Sequence, residues 1–501
     1  GKIVKIGFVE AAKADRTIDA RGLVVSPGFI DIHSHDDWPF IIDPRADSKL
    51  KQGVTTELNG TCGISGGPIN GKRLAEFRLA ASLVGYSSAL IRDIDPDWGT
   101  FGEYLNKLEE SGLPLNSGYY VGHTNLRVSV MGLDDRAPTK DEMEQMKSLA
   151  AEAMRHGAFG LSAALNLVPG RFAQTDEIIA LCKVVSKYGG HYAEHGRHRG
   201  TEIVETTREA IDIGEKSGIP VVLSHHTPPL EKCEEDSRLI AEARKRGVDV
   251  IRDMIVYAYG SGGPHSILPY WILREGFEKI VQMLRDPRIR ERLKSQIDEE
   301  QVEYLKAQTL LFAHRTPHFE RKTWTEVAKT KRTGILDAVF DVMAENNLLV
   351  KTISSKFYSE DTVISALRDP LSIPESDSES FLPQGILAKR GDARGWGSFP
   401  FLLGRYVREK GVLTLEEAIR RITSFPAQRM RLNNRGILRE GMYADITVFN
   451  AETIAHKAEP LDPNQYPVGI PYVLVNGQVV VEDSQYNGSL AGCTLRLKEA
   501  R

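Results

Sequence analysis

SPGFIDIHSHDD, residues 26–37, runs from a Ser-Pro-Gly turn into a short apolar segment, Phe29 to Ile32, and ends on His33-Ser34-His35. Residues two apart on a strand project to one face, so both imidazoles can reach a single ion. An isolated H-x-H serves equally well as a structural pair, so its weight comes from the rest of the chain. Similar short runs recur at Thr55 to Asn59, Ser117 to Val121, Phe159 to Ser162, His191 to Ala193, Val221 to Ser224, Val248 to Asp253 and Ser372 to Pro374. Between them lie stretches such as Thr175 to Lys187 and Glu202 to Lys216, with apolar residues at helical spacing. Strands alternating with helices predict an α/β fold, and eight of them predict a (β/α)8 TIM-like barrel over residues 29–433.

The ends of the chain read differently. GKIVKIGFV and RTIDARGLVVSPGFID at one end, and GILREGMYADITVFN and PYVLVNGQVVVED at the other, alternate apolar and polar residues, with Asn476-Gly477 as a hairpin signal. We expect residues 1–28 and 434–501 to pair into one small β-sandwich domain. Tyr257 and Ser372 are about 115 residues apart, far more than one βα unit needs. A lid insertion over 258–350, following the seventh strand, is therefore expected above the barrel mouth, where it would exclude water.

Composition narrows the function. With 501 residues, 41% hydrophobic and 26% charged, the chain has ordinary globular proportions, which excludes a disordered or fibrous protein. A net charge of -4 with both signs interspersed leaves no basic field for nucleic acid or an anionic membrane surface, so the expected partner is a small-molecule substrate, with a homo-oligomer left open. Cys62, Cys182, Cys233 and Cys493 are scattered without CxxC spacing, which points to a reducing, cytoplasmic setting. No apolar run approaches the length of a membrane span, and Gly1, Lys2 and Ile3 carry no signal-peptide pattern. The chain opens without Met in what reads as mid-strand, so a targeting segment upstream is left open.

Chemistry-bearing residues gather at strand ends. Cys62 follows the second strand among Gly60, Gly63, Gly66 and Gly67, where a thiolate is a soft zinc ligand and glycines let backbone approach an ion or substrate. His195 ends the fifth strand, and His225 with His226 ends the sixth. Adjacent residues point opposite ways, so one of that pair faces the axis, and we assign His225. Asp377 follows the eighth strand, where a carboxylate can take a proton from an attacking water. Barrel active sites lie at the C-terminal ends of the strands, the end where these residues stand.

These motifs resemble the N-acyl-D-amino acid deacylases, or D-aminoacylases, of the amidohydrolase superfamily. The resemblance runs nearly end to end through SPGFIDIHSHDD, GVTTELNGTCGIS, VGHTNLR, AFGLSAALNLVPG, SHH, GSFPFLLGRYVRE and REGMYADITVFN with VLVNG. Many dinuclear members bridge their metals with a carboxylated lysine on the fourth strand, and FGLSAALN has no lysine. Cys62 looks like its replacement. The resemblance implies one tight zinc on Cys62, His195 and His225, and a second, weaker position lined by His33, His35 and Asp377. It further implies Asp377 as the base and acid of amide hydrolysis. His123 of VGHTNLR is implied near the oxyanion or behind the ligands.

The resemblance also implies that Tyr257 and Arg394 hold the substrate's α-carboxylate beside a lysine after the paired histidines, but Thr227 stands at that place. AEHGR and PESDS depart from the family's usual flanks. Two further readings therefore stand beside deacylation of an N-acyl-D-amino acid. One is an amidohydrolase for a different linear or cyclic amide lacking that carboxylate, with Tyr257, Tyr259, His265, Tyr270 and Trp271 lining its pocket. The other is a metal-free scaffold or binding protein.

Overall fold

The computed structural model describes residues 1–9, 14–84, 91, 94–356, 358–388 and 391–497. Among them, eight parallel strands coincide with the eight runs read from the sequence to within two or three residues. They are β1 (Phe29–Asp31), β2 (Val54–Asn59), β3 (Asn116–Tyr119), β4 (Gly160–Ala164), β5 (His191–His195), β6 (Val221–Leu223), β7 (Val250–Ile255) and β8 (Ser372–Glu375). One sheet runs β1, β2, β3, and the other runs β8, β7, β6, β5, β4 before ending on the short strand Val121–Gly122, which continues from β3. Main-chain hydrogen bonds join the sheets at both seams: Phe159 N donates to Tyr119 O at 2.8 Å, and Asp377 N donates to His33 O at 3.1 Å.

Packing follows from that connectivity. Parallel strands covered by crossover helices are buried on both faces, and every residue of β2, VTTELN, is buried. Its polar side chains need internal partners. Glu57 accepts from Asn59 Nδ2 at 2.8 Å, and Lys49 Nζ lies 3.3 Å from Glu57 Oε2 and 3.0 Å from Asp31 Oδ2. A separate apolar cluster takes a residue from or beside each of the eight strands: Ile30, Leu58, Tyr120, Phe159, Ala193, Val222, Ile251 and Ile373, closed off by Ala427, Met430 and Leu432.

Both chain ends meet in one five-stranded antiparallel sheet, ordered Val24–Pro27, Ile446–Phe449, Tyr472–Val475, Gln478–Glu482 and Gln485–Tyr486. The sequence suggests a sandwich, and the described residues of the two ends pair in this one sheet. Asn476, with φ of 50°, and Gly477, with φ of 77°, turn the hairpin as two left-handed residues. A buried ion pair ties the sheet's strands to β3: Arg435 binds the Asp445 carboxylate, and Asn116 Nδ2 donates to Asp445 Oδ1 at 3.3 Å.

Between β7 and β8 the chain builds a three-stranded antiparallel sheet, Gly260–Gly262, Val350–Ser354 and Gln308–Ala313, with helices that include Glu299–Lys306 and Ile335–Glu345. Ser261 Oγ, on the first of these strands, accepts from Arg394 at 2.5 Å. The insertion thereby reaches residues at the ends of the parallel strands. No helix among the described residues is long and apolar enough to cross a membrane.

Two measurements test this packing. Asp445→Ala strands a buried guanidinium, and should remove about 3 to 5 kcal/mol of stability, read as an earlier denaturant transition. His191 lies at the start of β5, where burial, followed by the charge of Arg429, lowers its pKa to about 3. The unfolded chain binds a proton near 6.5 that the folded chain refuses, so stability is lost as pH falls from about 6.5 toward 3. In chelator, His191→Gln should lose about 2 kcal/mol less than the unsubstituted chain between pH 7 and pH 5. Equal losses would contradict a neutral buried imidazole.

Candidate metal centre

The sulfur of Cys62 lies 3.3 Å from His33 Nε2, 3.4 Å from His195 Nδ1 and 3.4 Å from His225 Nε2. Four segments, following or ending β1, β2, β5 and β6, thus bring one thiol and three imidazoles together. On the other side, His35 Nε2 lies 3.0 Å from Asp377 Oδ1, and His33 Nε2 lies 3.6 Å from the same oxygen. Two overlapping donor sets result, His33, His35, Cys62 and Asp377, and Cys62, His195 and His225, each with its ligand atoms within 4.8 Å of one another. Thiolate, imidazole and carboxylate within such a radius are the donor set of a zinc site. A buried thiol facing three imidazoles has no comparable structural use.

Local backbone aims these groups. Cys62, His225 and Asp377 have φ of 49°, 36° and 42°, in the left-handed region that residues with a Cβ seldom occupy. Each conformation costs roughly 1 to 3 kcal/mol and persists only where the surroundings hold it. Around Cys62 that hold is visible. Ser162 of β4 binds Gly60 O and accepts from Gly63 N at 3.1 Å, and Asn125 accepts from Ser65 N at 2.9 Å and donates to Ser65 O at 2.8 Å. A Cβ on Gly60, where φ is 72°, would sit 2.3 Å from Tyr120 O, and one on Gly63 would sit 2.8 Å from Ala164 N. These two glycines admit neighbouring backbone, whereas the sequence suggested room for an ion or substrate.

A shell of partners orients the imidazoles. Asp253 on β7 places Oδ2 at 3.2 Å from His33 Nδ1, and its other oxygen accepts from the His225 main-chain N–H. His226 turns away from the cluster, with Nε2 3.0 Å from Asp236 Oδ1 and 3.1 Å from Thr207 Oγ1. Arg199 sets both terminal nitrogens 3.1 Å from His225 Nδ1. Neither Asp253 nor Arg199 is singled out by the sequence reading. Asp253 carried a signal, since it stands near the end of a strand as the ligands do, but Arg199 lies in a loop rich in charge.

The charges are arranged accordingly. Burial opposes a thiolate at Cys62, yet His33 and His225 hold its pKa well below the ordinary thiol value. Burial likewise opposes ionised Asp377, but Arg394 and His35 keep its carboxyl well below the usual range. His35 rises to about 9 against burial, through Asp377 and Cys62. His225 falls to about 3 through burial, followed by the nearby Arg199.

The remaining sequence-derived residues lie further out. Arg394 donates to Asp377 Oδ2 at 2.7 Å and grips Asp392 at 3.1 and 3.0 Å, while Tyr259 OH donates to the same Asp392 at 2.7 Å. Tyr257 is buried, stacked on Phe401 at 4.4 Å, and donates to Ala393 O at 3.4 Å. His123 pairs with a buried glutamate. Its Nε2 lies 2.8 Å from Glu177, which also binds Arg127, while its Nδ1 is buried without a partner.

Comparison with known proteins agrees with this geometry. The amidohydrolase family model matches residues 16–250 and 387–481. A D-aminoacylase from Alcaligenes xylosoxydans xylosoxydans is 32% identical over 99% of this chain and 92% of its own length, and an N-acyl-D-glutamate deacylase from the same organism is 32% identical over 96% and 88%. Among solved structures, the N-acyl-D-glutamate deacylase of Bordetella bronchiseptica, complexed with zinc and a phosphonate that mimics the tetrahedral intermediate, superposes with a TM-score of 0.82 at 29% identity, covering 99% of this chain and 94% of that one. A D-aminoacylase crystal structure superposes with a TM-score of 0.79 at 31% identity over the same shares. With an α/β scaffold of the same type, and a thiol, four imidazoles and a carboxylate at the ends of its parallel strands, this chain belongs to the amidohydrolase family that those comparisons show.

Proposed function

We propose that the chain hydrolyses the amide bond of an N-acyl-D-amino acid, releasing a carboxylate and a free D-amino acid, with zinc held by Cys62, His195 and His225. His33, His35 and Asp377 line a second position beside it. The scaffold in this reading is a closed (β/α)8 barrel over 29–433, carrying a lid over 258–350 and a small β domain from 1–28 and 434–501. The observation that carries the reading is a single buried sulfur within 3.4 Å of three imidazoles, with a carboxylate facing it across His33.

Bound there, zinc supplies a Lewis acid that lowers the pKa of water and polarises an amide carbonyl. The chain's residues do the rest. Asp377, kept ionised by Arg394 and His35, accepts the proton of the attacking water and passes it to the departing nitrogen, so the amine leaves neutral. Asp253 fixes the tautomer of His33 by accepting from Nδ1, which leaves Nε2 turned toward Cys62 and Asp377. Arg394, pinned by Asp392 and Ser261, holds the Asp377 carboxylate in one orientation. The insertion that supplies Ser261 is placed to keep bulk water from that proton.

One observation favours the rival substrate, an amide without an α-carboxylate: Arg394 already faces two carboxylates, and Thr227 offers no charge. Turnover of N-acetyl-D-amino acids against their uncharged amides separates the two substrates.

Cys62→Ala should lower bound zinc below about half an ion per chain, measured by elemental analysis, and abolish hydrolysis with it. Asp377→Asn should retain zinc while slowing hydrolysis of N-acetyl-D-methionine by about 100- to 10,000-fold. Full zinc binding by the Cys62 variant would remove the proposed ligand set, and a purified wild-type protein without zinc would favour a scaffold.

A further inference from the structure

Arg199 is a cation whose fork points at a ring nitrogen. It lies in the loop after β5, half-buried, and among the described residues it forms no ion pair with a carboxylate. Its neighbours in the same loop behave otherwise: Arg197 grips Glu209 at 3.1 Å, and His198 lies 3.4 Å from Glu202. Both terminal nitrogens of Arg199 instead point at His225 Nδ1, at 3.1 Å each.

That contact is incompatible with the state in which His225 serves as a ligand. A neutral imidazole that gives its Nε2 lone pair to a cation carries its proton on Nδ1, where it becomes a donor. A guanidinium has five N–H donors and no acceptor. Donor would then face donor, so Arg199 must turn its fork to another acceptor once the ligand set is in use. Asp377 is taken by Arg394 and His35, and Asp392 by Arg394, Tyr259 and Lys351, while the charge of Arg199 reaches the buried Glu194 only from beyond ion-pair distance. A second donor stands close by in the chain. The Thr227 hydroxyl, two residues after His225, is buried and has no hydrogen-bond partner.

Resting on the deacylase reading above, we propose that Arg199 receives the α-carboxylate of the N-acyl amino acid and makes the enzyme selective for acids over neutral amides. Reach supports the assignment. The guanidinium lies one imidazole ring beyond the contact of His225 with Cys62. From the acyl carbon to the α-carboxylate carbon, the three bonds of an N-acyl amino acid span roughly 3 to 4 Å. A substrate whose carbonyl sits over the ligand cluster therefore brings its carboxylate to the fork. A planar guanidinium matches a carboxylate with two parallel N–H contacts, which a hydroxyl alone cannot do.

The test compares kcat/KM for N-acetyl-D-methionine, its carboxamide and N-acetyl-D-glutamate, using the zinc-loaded full chain. The unsubstituted enzyme should prefer the acid to the carboxamide by about 10- to 100-fold. Arg199→Gln should bring that ratio near one, mainly through KM for the acid, and Arg199→Lys should retain part of it. Binding supplies a readout without turnover. By calorimetry, N-acetyl-D-methionine should bind zinc-loaded Asp377→Asn protein about 10- to 100-fold more tightly than the Asp377→Asn, Arg199→Gln double variant, at equal zinc content. An unchanged ratio overturns the inference, as does a parallel fall on acid and carboxamide, or a loss confined to N-acetyl-D-glutamate, which would assign the fork to a side-chain carboxylate. A zinc-bearing wild type that cleaves none of the three substrates overturns the deacylase reading and this inference with it. An active wild type whose preference survives Arg199→Gln overturns this inference alone.

Discussion

The arrangement of this molecule depends on a buried thiol that shares its surroundings with three imidazoles. In the low dielectric of the interior, such groups attract or repel according to which of them carry protons. A divalent cation among them would take the lone pair of the sulfur and of the nitrogens that reach it, so that each faces positive charge. The left-handed backbone at Cys62, His225 and Asp377 fits that account. Strain at three residues of the cluster is stable only where the rest of the fold fixes where their side chains must go.

Three of the clustered groups are held by partners drawn from other strands or loops. Asp253 of β7 orients His33 of the segment after β1, Ser162 of β4 hooks the Cys62 loop, and Arg394 fixes Asp377. The cross-bracing means that no single loop positions the cluster, and displacement of any one strand end would misplace several donors. It also explains why polar side chains are buried so freely in this half of the molecule. Lys49 faces the carboxyl groups of Asp31, Asp36 and Glu57 without solvent, beside the segment that carries His33 and His35, and burial raises the pKa of Asp36 and Glu57.

Strand ends were legible in the sequence because a parallel strand buried on both faces is short and apolar, and its first polar residues mark where it emerges. His195 and His225 stand at such exits, and alternation indicates that one of His225 and His226 faces the cluster without saying which; the His225 ring goes to Cys62 and the His226 ring to Asp236. Other features leave no one-dimensional trace. The bond between Asp253 and His33 links positions 220 residues apart. The strands of the insertion, QTLLFA and VKTIS, pair with each other, and VKTIS pairs with Gly260–Gly262, but the sequence reading drew no strand at any of these places. Gly60 and Gly63 show a different limit. Their presence signalled close approach, but only coordinates reveal that the approaching group is the backbone of Tyr120 and of Ala163 and Ala164.

Replacing a lysine by Thr227 need not change what charge the substrate carries, because a cation is defined by where its head group lies and not by the strand that supplies it. The loops after β5 and β6 are neighbours across paired strands, and the rings of His195 and His225 are 4.5 Å apart. An arginine four residues beyond His195 is longer than a lysine two residues beyond His225, and it approaches the same ring from the adjacent loop. The two designs differ in their consequences for the free protein. Arg199 lowers the proton affinity of both His195 and His225, in addition to the effect of burial, and so favours the neutral imidazoles that a cation requires. In the proposal above, the guanidinium keeps both imidazoles neutral in the free protein, and it must leave His225 Nδ1 for an anion before Nε2 of that ring can serve a cation. That sequence requires its loop to remain movable, and the absence of an ion pair at Arg199 among the described residues is what permits it.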